Sequence, residues 1–276
     1  MAHFLQTTAT VTENIAIARD TWRVRLDQPN IARAIRPGQF LMLRLPGTND
    51  PLLGRPYALY DTVLNVENDP AGIDVVYLVV GKQTRALTQL RSGDSLGVWG
   101  PLGNGFPDLE GAGHVWFVAG GIGQTPFLAY TRALLGTRGY GGTAPCRRVR
   151  TVSMFYGVRT AELLAGLGDF KEAGASVHVA SDDGSIGHHG FVTDMLAHHP
   201  RPDHIMACGP GPMMQAVASF AGSAGVSCHL SLETPMACGV GICFSCVTRV
   251  CDGDGWDYRR VCIDGPVFDA NTIHWQ

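Results

Sequence analysis

HVWFVAGGIGQTPFLAYTRALL, residues 114–135, decides the fold. A strand-length apolar run enters a cluster of glycines and leaves as an apolar helix, which is half of a βαβ unit. The alternation then repeats. RTVSMFYGV (150–158), SVHVASDDG (176–184) and HIMACGP (204–210) read as strands. TAELLAGLGDFKEAG (160–174), GFVTDMLAHH (190–199) and GPMMQAVASFAGSAG (211–225) read as helices. Strands alternating with helices imply a parallel sheet with crossovers.

Upstream the pattern is different. TATVTENIAIAR (8–19), TWRVRLDQ (21–28), RPGQFLMLRLPG (36–47), IDVVYLVV (73–80) and DSLGVWG (94–100) are β-rich runs between turns. No helical period appears before residue 110, so a small antiparallel barrel is expected. The tail is short and rich in glycine and cysteine. The expected fold is therefore α/β plus β: a barrel over 1–110, a nucleotide-binding parallel sheet over 111–225, and a third unit over 226–276. RGYGGTAPCRR (138–148) is expected to be an exposed loop.

Composition narrows the function. The 276 residues are 45% apolar and 16% charged, with a net charge of −3. Such a chain can bury a core, and nucleic acid or an anionic membrane is not its expected partner. No apolar run is long enough for a bilayer. The first residues, MAHFLQTTATVTEN, carry no export signal, so the expected location is the cytoplasm. None of the eight cysteines precedes Cys146, and five lie between Cys238 and Cys262. A local cluster in a chain of this kind reads as metal binding rather than a disulfide scaffold.

Cys238, Cys243 and Cys246 have the spacing C-x4-C-x2-C, that of plant-type [2Fe–2S] centres. Gly239 and Gly241 let the loop curl and bring amides toward the sulfurs. The fourth thiolate is assigned to Cys262. Cys251 lies too close to Cys246 and precedes a DGDG turn. Zinc is the alternative, but its sites favour paired C-x2-C knuckles, and only one such pair occurs.

Three strand-end loops are candidates for a dinucleotide. AGGIGQTP brings Gly120, Gly121, Gly123 and Thr125 to a helix start, where amides can meet a phosphate; a plain turn is the alternative. CGPGPMM places Cys208 and Gly209 at a strand's carboxyl end, where α/β sheets bind ligands, though a lone cysteine is more often structural. SDDGSIG offers Asp182 to a ribose or simply turns the chain. Arg159 in YGVRT meets a phosphate or caps in solvent. In the barrel, LGRPYALY sets Arg55 before Tyr57, a phosphate partner beside a ring that can cover a flat cofactor. Tyr57 as ordinary core is the alternative.

In order along the chain, RPYAL, GKQT with GPLGNGF, AGGIGQTP, YGVRT, SDDGS with GFVTD, CGPGPMM, ETPMACGVGIC and VCIDGPVF together resemble the electron-transfer subunits of class 1B dihydroorotate dehydrogenase, within the ferredoxin–NADP reductase superfamily. The resemblance implies FAD between barrel and sheet, with Arg55, Pro56, Tyr57 and Ala58 on one flavin strand, Tyr77 and Leu78 on a second, and Gln83 and Thr84 on the phosphate side. It implies NAD(H) on the sheet domain, with Cys208 near the nicotinamide, and a [2Fe–2S] cluster on Cys238, Cys243, Cys246 and Cys262. It also implies a partner: the FMN-bearing catalytic subunit that oxidises dihydroorotate in pyrimidine biosynthesis, two of each assembling. Ala58, Leu78 and Gln83 depart from the usual Ser or Thr, Arg and Gly.

The implied path runs from partner FMN through [2Fe–2S] and FAD to NAD+, because a flavin alone can exchange both hydrides and single electrons. No acid–base catalyst for dihydroorotate is evident, as expected of a conduit. No basic pocket for a 2′-phosphate is evident either, which favours NAD. The alternatives are an NAD(P)H oxidoreductase of the ferredoxin-reductase kind feeding a different partner enzyme, and a non-enzymatic binding protein, nucleotide-sensing or zinc-stabilised.

Overall fold

The computed structural model describes residues 4–275. Met1 to His3 and Gln276, the outermost residues of the first and third expected units, lie outside them. Strands β1 (Leu5–Ala18), β2 (Thr21–Asp27), β3 (Phe40–Arg44), β4 (Arg55–Ala58), β5 (Asp61–Leu64), β6 (Pro70–Leu78) and β7 (Ser95–Leu102), with short helices α1 (Pro29–Ala34) and α2 (Lys82–Leu87), form the first layer. All pairings are antiparallel, in the order β4-β3-β7-β1-β2-β6-β5. Alternation explains the curl. Val24 and Leu26 of β2, Leu41 and Leu43 of β3, Ile73 and Val75 of β6, and Leu96 and Val98 of β7 point into one core. The sheet bends until Tyr57 of β4 meets Tyr77 of β6 edge-to-face, ring centroids 6.3 Å apart.

The second sheet is built from β8 (His114–Gly120), β9 (Thr151–Val158), β10 (Ser176–Ser181), β11 (His188–His189), β12 (His204–Cys208) and β13 (Ser227–Ser231). Helices α3 (Phe127–Leu135), α4 (Leu167–Glu172) and α5 (Gly211–Ala224) connect them. The order β11-β10-β9-β8-β12-β13 is parallel throughout. The chain steps from β8 to β9 on one side and later to β12 on the other, so the switch point lies between β8 and β12.

The tail corrects the expected third unit. β13 belongs to this sheet, and β16 (Val267–Asp269) adds to it antiparallel, Leu230 opposite Phe268. A division at residue 226 would therefore cut through the sheet. The cysteine loop and the hairpin of β14 (Val247–Asp252) and β15 (Gly255–Arg260) lie outside both large sheets. Two expected helices also change. Gly166, at φ +71°, interrupts residues 160–174, leaving a 3-10 turn at Ala161–Leu163 and the short α4. Residues 192–198 wind as a 3-10 helix whose Asp194 carboxylate accepts from the Phe191 amide. The 138–148 loop is partly tucked in: Tyr140 is buried and donates to Asp61, 2.6 Å away.

His114, His178, His204 and His229 each have a pKa pushed below 6.5, first by burial. The folded state holds them neutral while the unfolded chain still takes up protons, so stability is full above 6.5 and declines as the pH falls from there toward the lowered values. The midpoint of thermal unfolding should drop between about pH 7.5 and about pH 5.5, and His178→Gln should flatten that slope. Near-ultraviolet circular dichroism melts check both.

Candidate functional site

The strand-end loops converge at the switch point. Residues Gly121–Gln124 form a 3-10 turn directly after β8. Gly123 is pressed against the next loop: a Cβ there would lie 2.2 Å from the Cys208 carbonyl oxygen. A Cβ on Gly120 would meet Pro210 at 2.7 Å, and Gly209 takes φ +153° against the Gly120 amide. These glycines are needed for close backbone approach. Thr125 is buried at the start of the following turn.

The loops after β9 and β10 are joined as well. The Asp182 and Asp183 amides donate to the carbonyls of Val158 and Arg159. Asp183 closes its turn on the Ser185 hydroxyl, 2.6 Å away, while the Asp182 side chain is exposed. All four loops lie at the carboxyl ends of adjacent parallel strands.

Gln124, which sequence reasoning missed, adds an observation. It is fully buried where this turn abuts β6, and neither its amide nitrogen nor its oxygen has a partner. Buried amides are seldom left so. Glu233 was missed too. Its carboxylate acts on both Tyr57 and Cys208, from the barrel and the sheet respectively. Burial raises the Cys208 thiol to about 12, against a lowering effect of the neighbouring Ser231 hydroxyl. Neither contact is legible in spacing, because each joins residues far apart in the chain.

On the barrel side, Arg55 is exposed and its Nη1 donates to the Leu53 and Gly54 carbonyls. Pro56, Tyr57 and Ala58 are half-buried along β4; Tyr77 and Leu78 end β6 opposite them. Gln83 and Thr84 are largely spent inside the protein. The Gln83 amide donates to the Leu43 carbonyl at 2.8 Å, and the Thr84 hydroxyl accepts from the Val80 and Gly81 amides. The Gln83 oxygen is left buried without a partner.

The cysteine loop curls through left-handed conformations at Gly239 (φ +73°), Gly241 (φ +80°) and, unlike the sequence expectation, Phe244 (φ +56°). The Arg260 guanidinium spans this bend, donating to the Gly241 carbonyl at 3.0 Å and lying 4.9 Å over the Phe244 ring. The thiols of Cys238, Cys243, Cys246 and Cys262 are near enough to perturb one another. Cys243 reaches Cys238, and Cys262 lies beside Cys246. The Val240 amide donates to the Cys238 sulfur at 3.4 Å. Ser245 brings the Cys243 thiol down to about 6, while burial lifts Cys262 to about 12. A thiol so buried ionises only with a cation beside it.

Among the described residues no three His, Cys, Asp or Glu side chains converge as the shell of a single ion. Four cysteine thiols, three of them in the C-x4-C-x2-C spacing, are the donor set that would hold a [2Fe–2S] cluster. Cys251 lies on the exposed hairpin, opposite Trp256.

Three family models match in chain order: an oxidoreductase FAD-binding domain over 8–106, an oxidoreductase NAD-binding domain over 117–219, and the iron–sulfur cluster binding domain of dihydroorotate dehydrogenase B over 233–274. The dihydroorotate dehydrogenase B (NAD(+)) electron transfer subunit of Bacillus caldolyticus is 37% identical over 268 residues, 96% of each chain. That of Desulforamulus reducens is 33% identical over 264 residues, 94% of this chain and 95% of its own. The chain belongs to the dihydroorotate dehydrogenase B electron transfer subunits. Among solved structures, this electron transfer subunit resembles one from the NADH-dependent reduced ferredoxin-NADP oxidoreductase, at TM-score 0.80 and 28% identity, covering 97% of this chain and 90% of that one. In the subunit described here, as in the family models, an FAD domain, an NAD domain and a cluster-binding tail follow in that order. No helix among its described residues is long and apolar enough to cross a membrane.

Proposed function

We propose that this chain conveys electrons between a dihydroorotate-oxidising catalytic subunit and NAD+. The observation that carries the reading is the cysteine loop, seated on the barrel with Cys262 beside it and rimmed by exposed apolar side chains. Ile242 is 78% exposed, Phe244 62% and Ile263 46%. A rim of this kind suits a protein partner more than bulk water. The partner in this reading carries FMN, assembles as two of each subunit, and shares the cytoplasm with this chain. A reductase feeding some other enzyme is not favoured, because the tail matches the dihydroorotate dehydrogenase B domain.

Cys238, Cys243, Cys246 and Cys262 would hold the [2Fe–2S] cluster. Arg55, Pro56, Tyr57, Ala58, Tyr77 and Leu78 would hold FAD, with Gln83 and Thr84 shaping the loop on its phosphate side. Gly120, Gly121, Gly123, Thr125, Asp182, Cys208 and Gly209 would receive NAD(H), with Gln124 supplying the unpaired amide. FAD, when bound, supplies the exchange between hydride and single-electron chemistry. The chain's own residues do the placing. Arg55 is free to turn from two local carbonyls toward a pyrophosphate. The Tyr57–Tyr77 edge contact orients the rings at the strand ends. The closely packed glycines of the switch point would let a phosphate approach the backbone there.

Arg55→Ala should weaken FAD retention by about ten- to a hundredfold, the worth of one charge-assisted hydrogen bond. Flavin per chain after dilution and gel filtration measures it. The function itself is tested by the visible spectrum. Flavin and iron–sulfur bands that bleach on adding NADH support it; a colourless protein containing zinc would sink it.

A further inference from the structure

Trp99 lies on β7, beside Gln6 of β1 and Met42 of β3. Its indole nitrogen donates to the carbonyl of Cys238 at 2.9 Å. Among the described residues it is the one barrel side chain that hydrogen-bonds the 238–246 loop. The far edge of the same ring fills the space over Gly54, where a Cβ would lie 2.4 Å from the Trp99 Cη2 atom. Gly54 is buried and immediately precedes Arg55, the first residue of β4. One rigid side chain therefore touches both the entry to the candidate flavin strand and the backbone of the first cysteine ligand.

The rest of the contact is apolar. A Cβ on Gly239 would meet Met42 at 2.7 Å and Leu102 at 2.9 Å, so the loop is pressed flat on β3 and β7. Apolar packing of this kind has no preferred direction, whereas a hydrogen bond does. The indole N–H is thus the element that sets the loop's register on the barrel. A tryptophan that only filled the core would need its N–H satisfied somewhere, but not by a ligand residue.

We propose that Trp99 is a positioning residue that fixes the cluster loop against the flavin strand and thereby governs electron passage between the two centres. This rests on the function proposed above. In the test reaction NADH gives up a hydride and leaves as NAD+. With FAD and the cluster bound, one of the two electrons would go to the cluster and the other would stay with the flavin, the proton passing to solvent.

The experiment uses the full holoprotein and two variants that disturb the contact from opposite ends. Trp99→Phe keeps a ring and removes the donor; Gly54→Ala keeps the donor and displaces the ring. After rapid mixing with NADH, flavin bleaching is followed optically and the reduced cluster by freeze-quench electron paramagnetic resonance. With FAD and iron per chain unchanged, cluster reduction should fall ~10-fold relative to flavin bleaching, the usual cost of losing a partner just outside the ligands. The g-values of Trp99→Phe should shift as well. Wild-type ratios and g-values in both variants would overturn the proposal. If Trp99→Phe loses its iron, the ratio in Gly54→Ala decides alone. A wild-type cluster that NADH never reduces would overturn the electron-transfer reading and this proposal with it.

Discussion

Cys262→Ser should leave the protein yellow but without its cluster, with iron per chain falling to about a tenth or less, whereas Cys251→Ser should keep its iron. The two cysteines are close in sequence and far apart in environment. Cys262 is fully buried beside Cys246, its thiol lifted to about 12 by that burial. Cys251 points from an exposed hairpin. Serine at 262 would leave the site one thiolate short, and its hydroxyl is a poor ligand for iron. Iron and sulfide assays on the two variants, with flavin as the internal standard, measure the contrast. Equal iron in both would move the fourth ligand elsewhere.

Asp61→Ala should destabilise the fold by about 3–5 kcal/mol, the cost of breaking a buried charge pair by removing one partner. Asp61 opens β5 of the barrel and is buried. Its carboxylate takes Arg132 at 2.6 Å and Arg138 at 2.8 Å, both from the sheet domain, together with the Tyr140 hydroxyl. Those guanidiniums are themselves four-fifths buried, so removal of the carboxylate strands two cations. Nearby, the Ala129 amide donates to the Tyr60 carbonyl at 3.1 Å, and Tyr60 donates to Asp169. This cluster ties the barrel to the sheet domain, so the variant should also bind FAD and NADH less tightly. Denaturant unfolding gives the first effect and titration calorimetry the second.

The barrel was legible because alternating apolar residues on β2, β3, β6 and β7 leave little other choice. The parallel sheet was legible through its repeated strand–turn–helix order. The tail was harder to read, since β16 is three residues long and joins β13 across the whole cysteine segment. No local pattern encodes that partner. The short α4 turned on one glycine, Gly166, whose left-handed conformation outweighs the helical preference of its neighbours.

At the site, spacing singled out Cys238, Cys243, Cys246 and the glycines, because backbone geometry and ligand distance constrain the intervals between them. The preference for Cys262 over Cys251 rested on its greater distance from Cys246 and on the DGDG turn after Cys251. Gln124, Glu233 and Trp99 were invisible for the opposite reason. Each is an ordinary residue on its own element, and only tertiary packing brings it to the junction. Gln83 shows the same limit from the other side. At a position read as a phosphate contact, its side-chain amide is committed to the Leu43 carbonyl.

The most direct test of the whole account adds this holoprotein to a purified dihydroorotate-oxidising subunit and follows NADH formation at 340 nm with dihydroorotate and NAD+. NADH should form only when both chains are present, and should fail with Cys262→Ser. A wild-type chain with full FAD and cluster that leaves NAD+ unreduced would contradict the account.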